Sequence, residues 1–218
     1  DRVENAHRNL LQWQHDGRSD DVFRWGWRGQ RVTDDNHWKD FPRTIEGATP
    51  RLLSATASVE RDVALGPWRT TAYARTLWWQ VLQGDEPDAL IASPYHRAPQ
   101  LGWRGERTWN WRADDSPALM SFETEFNRFA LPGNGEPASL APVTPGSAAR
   151  TEGARWHALV SAEQRWRWPG AWLTPRARLN LAHYRTDAPM ADGRRSASRA
   201  IPTLSIDGGF IFERSTTW

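Results

Sequence analysis

Ala118-Leu119-Met120-Ser121-Phe122-Glu123-Thr124-Glu125-Phe126-Asn127-Arg128-Phe129 alternates with a period of two. Met120, Phe122, Thr124 and Phe126 fall on one side, and Ser121, Glu123, Glu125 and Asn127 on the other. Only a strand sends successive side chains to opposite faces, so this run predicts a strand with one apolar and one polar face. The pattern recurs on both sides of it. Phe23, Trp25 and Trp27 oppose Arg24, Arg28 and Gln30. Ala154, Trp156, Ala158 and Val160 oppose Arg155, His157, Ser161 and Glu163. Leu173, Ala177, Leu179 and Leu181 oppose Arg176, Arg178 and Asn180. Leu204, Ile206, Phe210 and Phe212 oppose Thr203, Ser205, Asp207 and Glu213.

Extended over the chain, the alternation predicts nine strands, at 5–15, 20–32, 54–63, 68–82, 98–106, 117–130, 153–166, 172–185 and 199–213. The first alternates poorly and its facing is not assigned. No sustained helical stripe is present, and Gly and Pro punctuate the sequence throughout. The predicted fold class is all-β, an antiparallel meander of about nine long strands. Most strands run to about 10–15 residues, against a typical 5–6 in soluble sheets. Tilted membrane-crossing strands need about 9–11. The connections alternate in length: 16–19, 64–67, 107–116 and 167–171 on one side, and 33–53, 83–97, 131–152 and 186–198 on the other. Outer-membrane barrels combine short periplasmic turns with longer extracellular loops, whereas a sandwich has no reason to keep its long loops on one parity. Asp16-Gly17 and Trp168-Pro169-Gly170 read as turn formers, and Pro99 and Pro202 as prolines at the start of strands.

Composition bounds the function. The 218 residues carry a formal charge of +2, so no overall field argues for nucleic acid. The absence of Cys removes disulfides and thiolate metal sites. No run of 18 apolar residues is present that would span a bilayer as a helix. The basic residues are almost all Arg, with Lys39 the exception. Fifteen Trp suit a core, sugar-stacking platforms or membrane-interface belts, and their number alone does not choose. The chain opens at Asp1 and stops at Trp218 directly after a strand-like run, so both ends are expected to be cuts through a longer protein.

Three runs carry a family resemblance: Asp34-Asp35-Asn36-His37-Trp38-Lys39-Asp40-Phe41 with Gly47-Ala48-Thr49; Ser93-Pro94-Tyr95-His96-Arg97-Ala98-Pro99-Gln100-Leu101; and Arg199-Ala200-Ile201-Pro202-Thr203-Leu204-Ser205-Ile206-Asp207-Gly208-Gly209-Phe210-Ile211-Phe212-Glu213-Arg214. In content, order and spacing the chain resembles the lipopolysaccharide-assembly protein LptD family, also called organic-solvent-tolerance proteins. The resemblance covers essentially the whole chain, 1–218, in the central part of the family's barrel. It implies an open segment of a large transmembrane outer-membrane β-barrel, incomplete at both ends and without the family's periplasmic N-terminal domain. It implies location in the outer membrane of a Gram-negative bacterium and a non-catalytic role in assembling lipopolysaccharide into the outer leaflet. The implied partners are lipopolysaccharide, membrane lipid, an LptE-like lipoprotein plug inside the barrel and, through the N-terminal domain, the periplasmic bridge proteins. No cofactor is implied. Trp25, Trp27, Trp79 and Trp103 depart from the family, standing where smaller aliphatic or Tyr residues are expected.

Two sets of residues are singled out. Arg24, Arg28, Arg69, Arg75, Glu123, Glu125, Arg155, Arg176, Arg178 and Asp207 are expected to face the lumen. Their arginines suit carboxylates of the plug or phosphates of lipopolysaccharide. The plainer alternative is ion pairing within the wall, with Glu60, Asp62, Glu123, Glu125, Glu163 and Asp207. Trp25, Trp27, Trp68, Trp78, Met120, Phe122, Phe126, Trp156, Leu179, Leu181, Phe210 and Phe212 are expected to face lipid or form interface girdles, with Trp166, Trp168 and Trp172 clustered at one short turn. The competing class is a soluble carbohydrate-binding sandwich or glycosidase, using the Trp residues and the Glu123/Glu125 pair, spaced ~6.5–7 Å by strand rise. His7, His15, His37, His96, His157 and His183 lack the spacing of a zinc site, and no nucleophile elbow or phosphate loop is present.

Overall fold

The computed structural model describes residues 8–20, 22–40, 51–83, 91–110, 116–132 and 150–212. His7, Phe41, Gly47–Thr49, most of the long connection after 131 and the Glu213-Arg214 pair lie outside them. The elements are β1 (Leu10–Ser19), β2 (Phe23–Val32), α1 (His37–Asp40), β3 (Leu52–Leu65), β4 (Trp68–Val81), β5 (His96–Trp109), β6 (Ala118–Ala130), β7 (Gly153–Gln164), β8 (Trp166–Trp168), β9 (Ala171–Thr186) and β10 (Ser196–Phe210). They form one antiparallel sheet in the order β1-β2-β3-β4-β5-β6-β7-β9-β10, with β8 also on β9. Each strand thus pairs with its neighbour in sequence, a meander. The sheet is open, with β1 and β10 as its edges. No helix among the described residues is long and apolar enough to cross a membrane, which does not bear on crossing by strands.

The connections keep their parity: 20–22, 66–67, 110–117 and 169–170 at one end, and 33–51, 82–95, 131–152 and 187–195 at the other. The short turns follow from their chemistry. Leu65-Gly66-Pro67-Trp68 has Gly66 at φ 56°, the positive first position of a type II′ hairpin turn. In Trp168-Pro169-Gly170-Ala171 proline fixes the first central φ and Gly170 takes φ 79°, as a type II turn requires.

Several expectations are corrected. The first strand runs Leu10–Ser19 rather than 5–15, so Asp16-Gly17 lies inside a strand. The strand ends instead at Ser19, and the turn that follows begins at Asp20, which adopts φ 54°. Gly17 is retained in the ladder because the Trp25 indole lies directly over it, where a Cβ would stand. A tenth strand, the three-residue β8, continues the register of β7 after a break at Arg165. The break has a cause: Pro175 of β9 follows in register from the Arg176–Glu163 pair and has no N–H to give the ladder. Pro99 lies within β5, at a bulge where Ala98 and Pro99 together oppose one residue of each neighbouring strand. Pro202 is interior to β10, opposite Leu179, and not at its start.

The packed core is small and sits at the long-connection end, where Val32, Leu53 and Leu82 cluster with Leu10 and Trp38 against them. Ladder pairing of β2 with β3 ends at Gly29–Ala55. Beyond it the Gln80 amide stands in for the ladder, accepting the Val32 N–H at 3.0 Å and donating to the Val32 carbonyl at 2.8 Å. Arg51 stacks on Trp38 at 5.2 Å, so the first family-like run caps this end.

Candidate functional site

Cα register fixes which side chains share a face, because directly paired residues of an antiparallel sheet point the same way. One face carries Trp25, Trp27, Val59, Trp68, Ala74, Trp78, Leu101, Trp103, Met120, Phe122, Phe126, Trp156, Val160, Leu179, Leu181, Leu204, Ile206 and Phe210. Many remain open to solvent: Leu204 is 83% exposed, Ile206 75% and Phe210 77%. A patch of exposed apolar side chains this continuous marks an interaction surface rather than a wet one. The cations on this face, Arg31, Arg61, Arg107, Arg128 and Arg185, all stand within a few residues of a strand end. Every carboxylate within the described strands is on the opposite face.

That opposite face is built around Tyr73. The ring is buried and lies over Gly102, where any Cβ would collide with it. On one side Arg75 and Arg104 approach its face, at 4.4 and 5.8 Å from the centroid. Arg75 bonds Glu60, and Arg104 lies 3.8 Å from the same carboxylate. Arg24 grips Asp62 with both guanidinium arms, at 2.7 and 2.9 Å, and Thr71 donates to Asp62 at 2.8 Å. On the other side the Tyr73 hydroxyl donates to Glu125 at 2.7 Å, as does Gln100 at 2.7 Å. Asn127 donates to the second Glu125 oxygen, and Arg155 stands 3.7 Å from it. The result is one polar belt from β2 to β7. Arg176–Glu163 and Arg69–Glu106 extend it, with closest contacts of 2.6 and 2.7 Å. At the short-turn end the belt borders a hollow of about 760 Å³ whose wall includes Arg69, Arg104, Glu106, Ser121 and Glu123.

The structure places all ten residues singled out for the lumen on this face. Arg24, Arg75, Arg155 and Arg176 are in ion pairs within the wall, as is Arg69 through Glu106, a partner not foreseen. Arg28 and Arg178 have no ion pair or hydrogen bond among the described residues, and neither do Glu123 and Asp207. Glu123 and Glu125 share the face but differ in surroundings, since Glu125 is committed to its belt partners. Tyr73, Gln100 and Arg104 were missed. Their role depends on cross-strand register, although Gly102 opposite Tyr73 was a usable signal. Among the residues expected to face lipid, those from Trp25 to Phe210 share the apolar face, and Phe212 lies past the end of β10. Trp166 and Trp168 share that face too, but Trp172 points the other way and packs against Gly209.

The histidines are dispersed. His15 stacks on Trp27 at 4.3 Å, His96 accepts the Trp79 N–H, and His183 bonds Ser198 at 2.8 Å. Among the described residues no group of three His, Cys, Asp or Glu could hold a metal. Outside the strands, the loop after β9 is tied down by Asp187, which receives a two-armed contact from Arg128. That contact holds the Asp187 carboxyl below the usual carboxylate range.

Comparison with known proteins adds to this geometry. The LptD family, described as LPS transport system D, matches residues 6–218. The chain is similar to the LPS-assembly protein LptD of Albidiferax ferrireducens, 34% identical over 86% of this chain and 21% of that protein. It is similar to the protein of the same name from a Polaromonas species, 33% identical over 98% of this chain and 25% of that protein. The one from Paracidovorax citrulli is 29% identical over 100% of this chain and 25% of that protein. The chain thus spans about a fifth to a quarter of the length of these relatives.

Proposed function

The chain belongs to the LPS transport system D family, LptD, and on that premise we propose that it forms part of the wall of a barrel that delivers lipopolysaccharide into the outer leaflet of the outer membrane. The observation that carries this is the two-faced sheet. An exposed apolar face free of carboxylates backs onto a belt of paired charges, and the connections alternate short and long. In lipid every backbone polar group needs a partner, so strands cross only in a closed barrel. The open edges at β1 and β10 are where further strands of the full protein would continue the wall. The short turns then lie on the periplasmic side and the long connections outside.

The role is transport without covalent change. Glu125 holds the wall together, and Glu123 has no second free carboxylate beside it on its own strand. The soluble sugar-binding alternative finds no support in an apolar face this exposed. On the polar face Arg28 and Arg178, like Arg97, Arg167 and Arg199, make no ion pair or hydrogen bond among the described residues, which leaves them open to a carboxylate of an LptE-like plug or a lipopolysaccharide phosphate. The test is substitution of Arg28 and Arg178 by Ala in the full-length protein. Reduced plug co-purification or reduced surface lipopolysaccharide is expected, with the barrel still assembled. Unchanged plug binding and export would assign both residues to the solvated wall.

A further inference from the structure

The apolar face is not smooth. Near its short-turn end a trough of about 460 Å³ runs across β6, β7 and β9. Its floor is Ala118, Ala162, Pro175 and Ala177, with Gln164 opposite Ala118 and its amide donating to the Ser116 carbonyl, and its banks are Trp109 and Met120 on one side, Leu204 and Ile206 on the other. One row across the sheet reads Arg107, Met120, Ala162, Ala177, Leu204. Arg107 therefore stands on the same face, directly beyond the bank. Its Nε is buried without an acceptor, and the residue has no ion pair among the described residues. No carboxylate of the described strands shares this face to neutralise it.

We propose that this trough is the seat of one glycerophospholipid from the leaflet on the short-turn side, its acyl chain on the alanine floor and its phosphate on Arg107. The inference rests on the membrane reading given above. A hydrocarbon chain fits a trough that side chains too short to fill it have left open. A phosphate diester supplies the counter-charge that the Arg107 guanidinium lacks among the described residues. Trp109, beside both, is the amphipathic residue expected at headgroup depth.

The experiment uses the full-length protein in nanodiscs of phosphatidylethanolamine and phosphatidylglycerol, with retained lipid read by native mass spectrometry. Wild type, and a Leu101→Trp control on the same face outside the trough, should each retain a phospholipid. Ala177→Trp fills the trough and should retain none, and the smaller Ala177→Phe serves if that variant fails to insert. Arg107→Gln should retain about tenfold less phosphatidylglycerol. Equal retention by all variants overturns the proposal, as does retained lipopolysaccharide in place of phospholipid. Insertion into the bilayer is scored in parallel. Inserted protein without a seated lipid sinks this inference alone, whereas wild type that does not insert sinks the membrane reading as well.

Discussion

Glu125 and Glu123 are two residues apart on one strand, yet their surroundings give them different weight. Glu125 has a side chain 13% exposed and satisfies donors from three other side chains. Removing a group that leaves buried donors unmatched costs about 1–3 kcal/mol. Glu125→Ala should therefore destabilise the folded barrel by about that amount, read as a lowered urea midpoint, while Glu123→Ala should stay within about 0.5 kcal/mol of wild type. Gly102→Ala should act on the same belt by driving Tyr73 off its position, costing about 1–3 kcal/mol as overpacking does. Asp187 gives a pH dependence. A carboxyl whose folded pKa lies below its unfolded one stabilises at neutral pH, and that contribution fades as pH falls through the lowered value. The loop 187–195 should thus loosen only as pH falls below the usual Asp range, seen as faster amide exchange after correction for the intrinsic rate. Asp187→Asn should already be loose at neutral pH.

At the scale of the strand, the two faces should respond oppositely to charge. Val160 is exposed near the middle of β7, with Ser161 next to it on the other face. An Arg at mid-bilayer depth on the lipid side of a barrel costs about 2–4 kcal/mol. Val160→Arg should lose that much stability in bilayers, and Ser161→Arg little. This facing was legible in the sequence because period-two alternation depends on nothing but the strand itself. Phe122, Val160 and Leu179 could be assigned before their partners were known. What local pattern could not supply was anything that depends on a neighbour. Gly17 reads as a turn former until Trp25 is seen across from it, and the poor alternation of β1 hid its shifted start. Pro175 interrupts a ladder only once it is known to face the break between β7 and β8. The Tyr73 belt joins residues from six strands, so it exists only after register is set.

For the whole molecule, the energetics are unlike those of a soluble sheet. Among the described residues the apolar side chains are not gathered into an interior, and the buried cluster is Val32, Leu53 and Leu82 at one end. Most of the hydrophobic stabilisation must come from the medium the apolar face meets. The polar face holds itself together through paired charges from β2 to β7. The most direct measurement of this account is single-cysteine scanning of β6 and β7 in the full-length protein in native membranes, since this stretch has no Cys of its own. A water-soluble maleimide should label positions 121, 123, 157 and 161 and spare 122, 124, 158 and 160 until the membrane is dissolved. Equal labelling of both sets in intact membranes, or labelling of the apolar set alone, would contradict it.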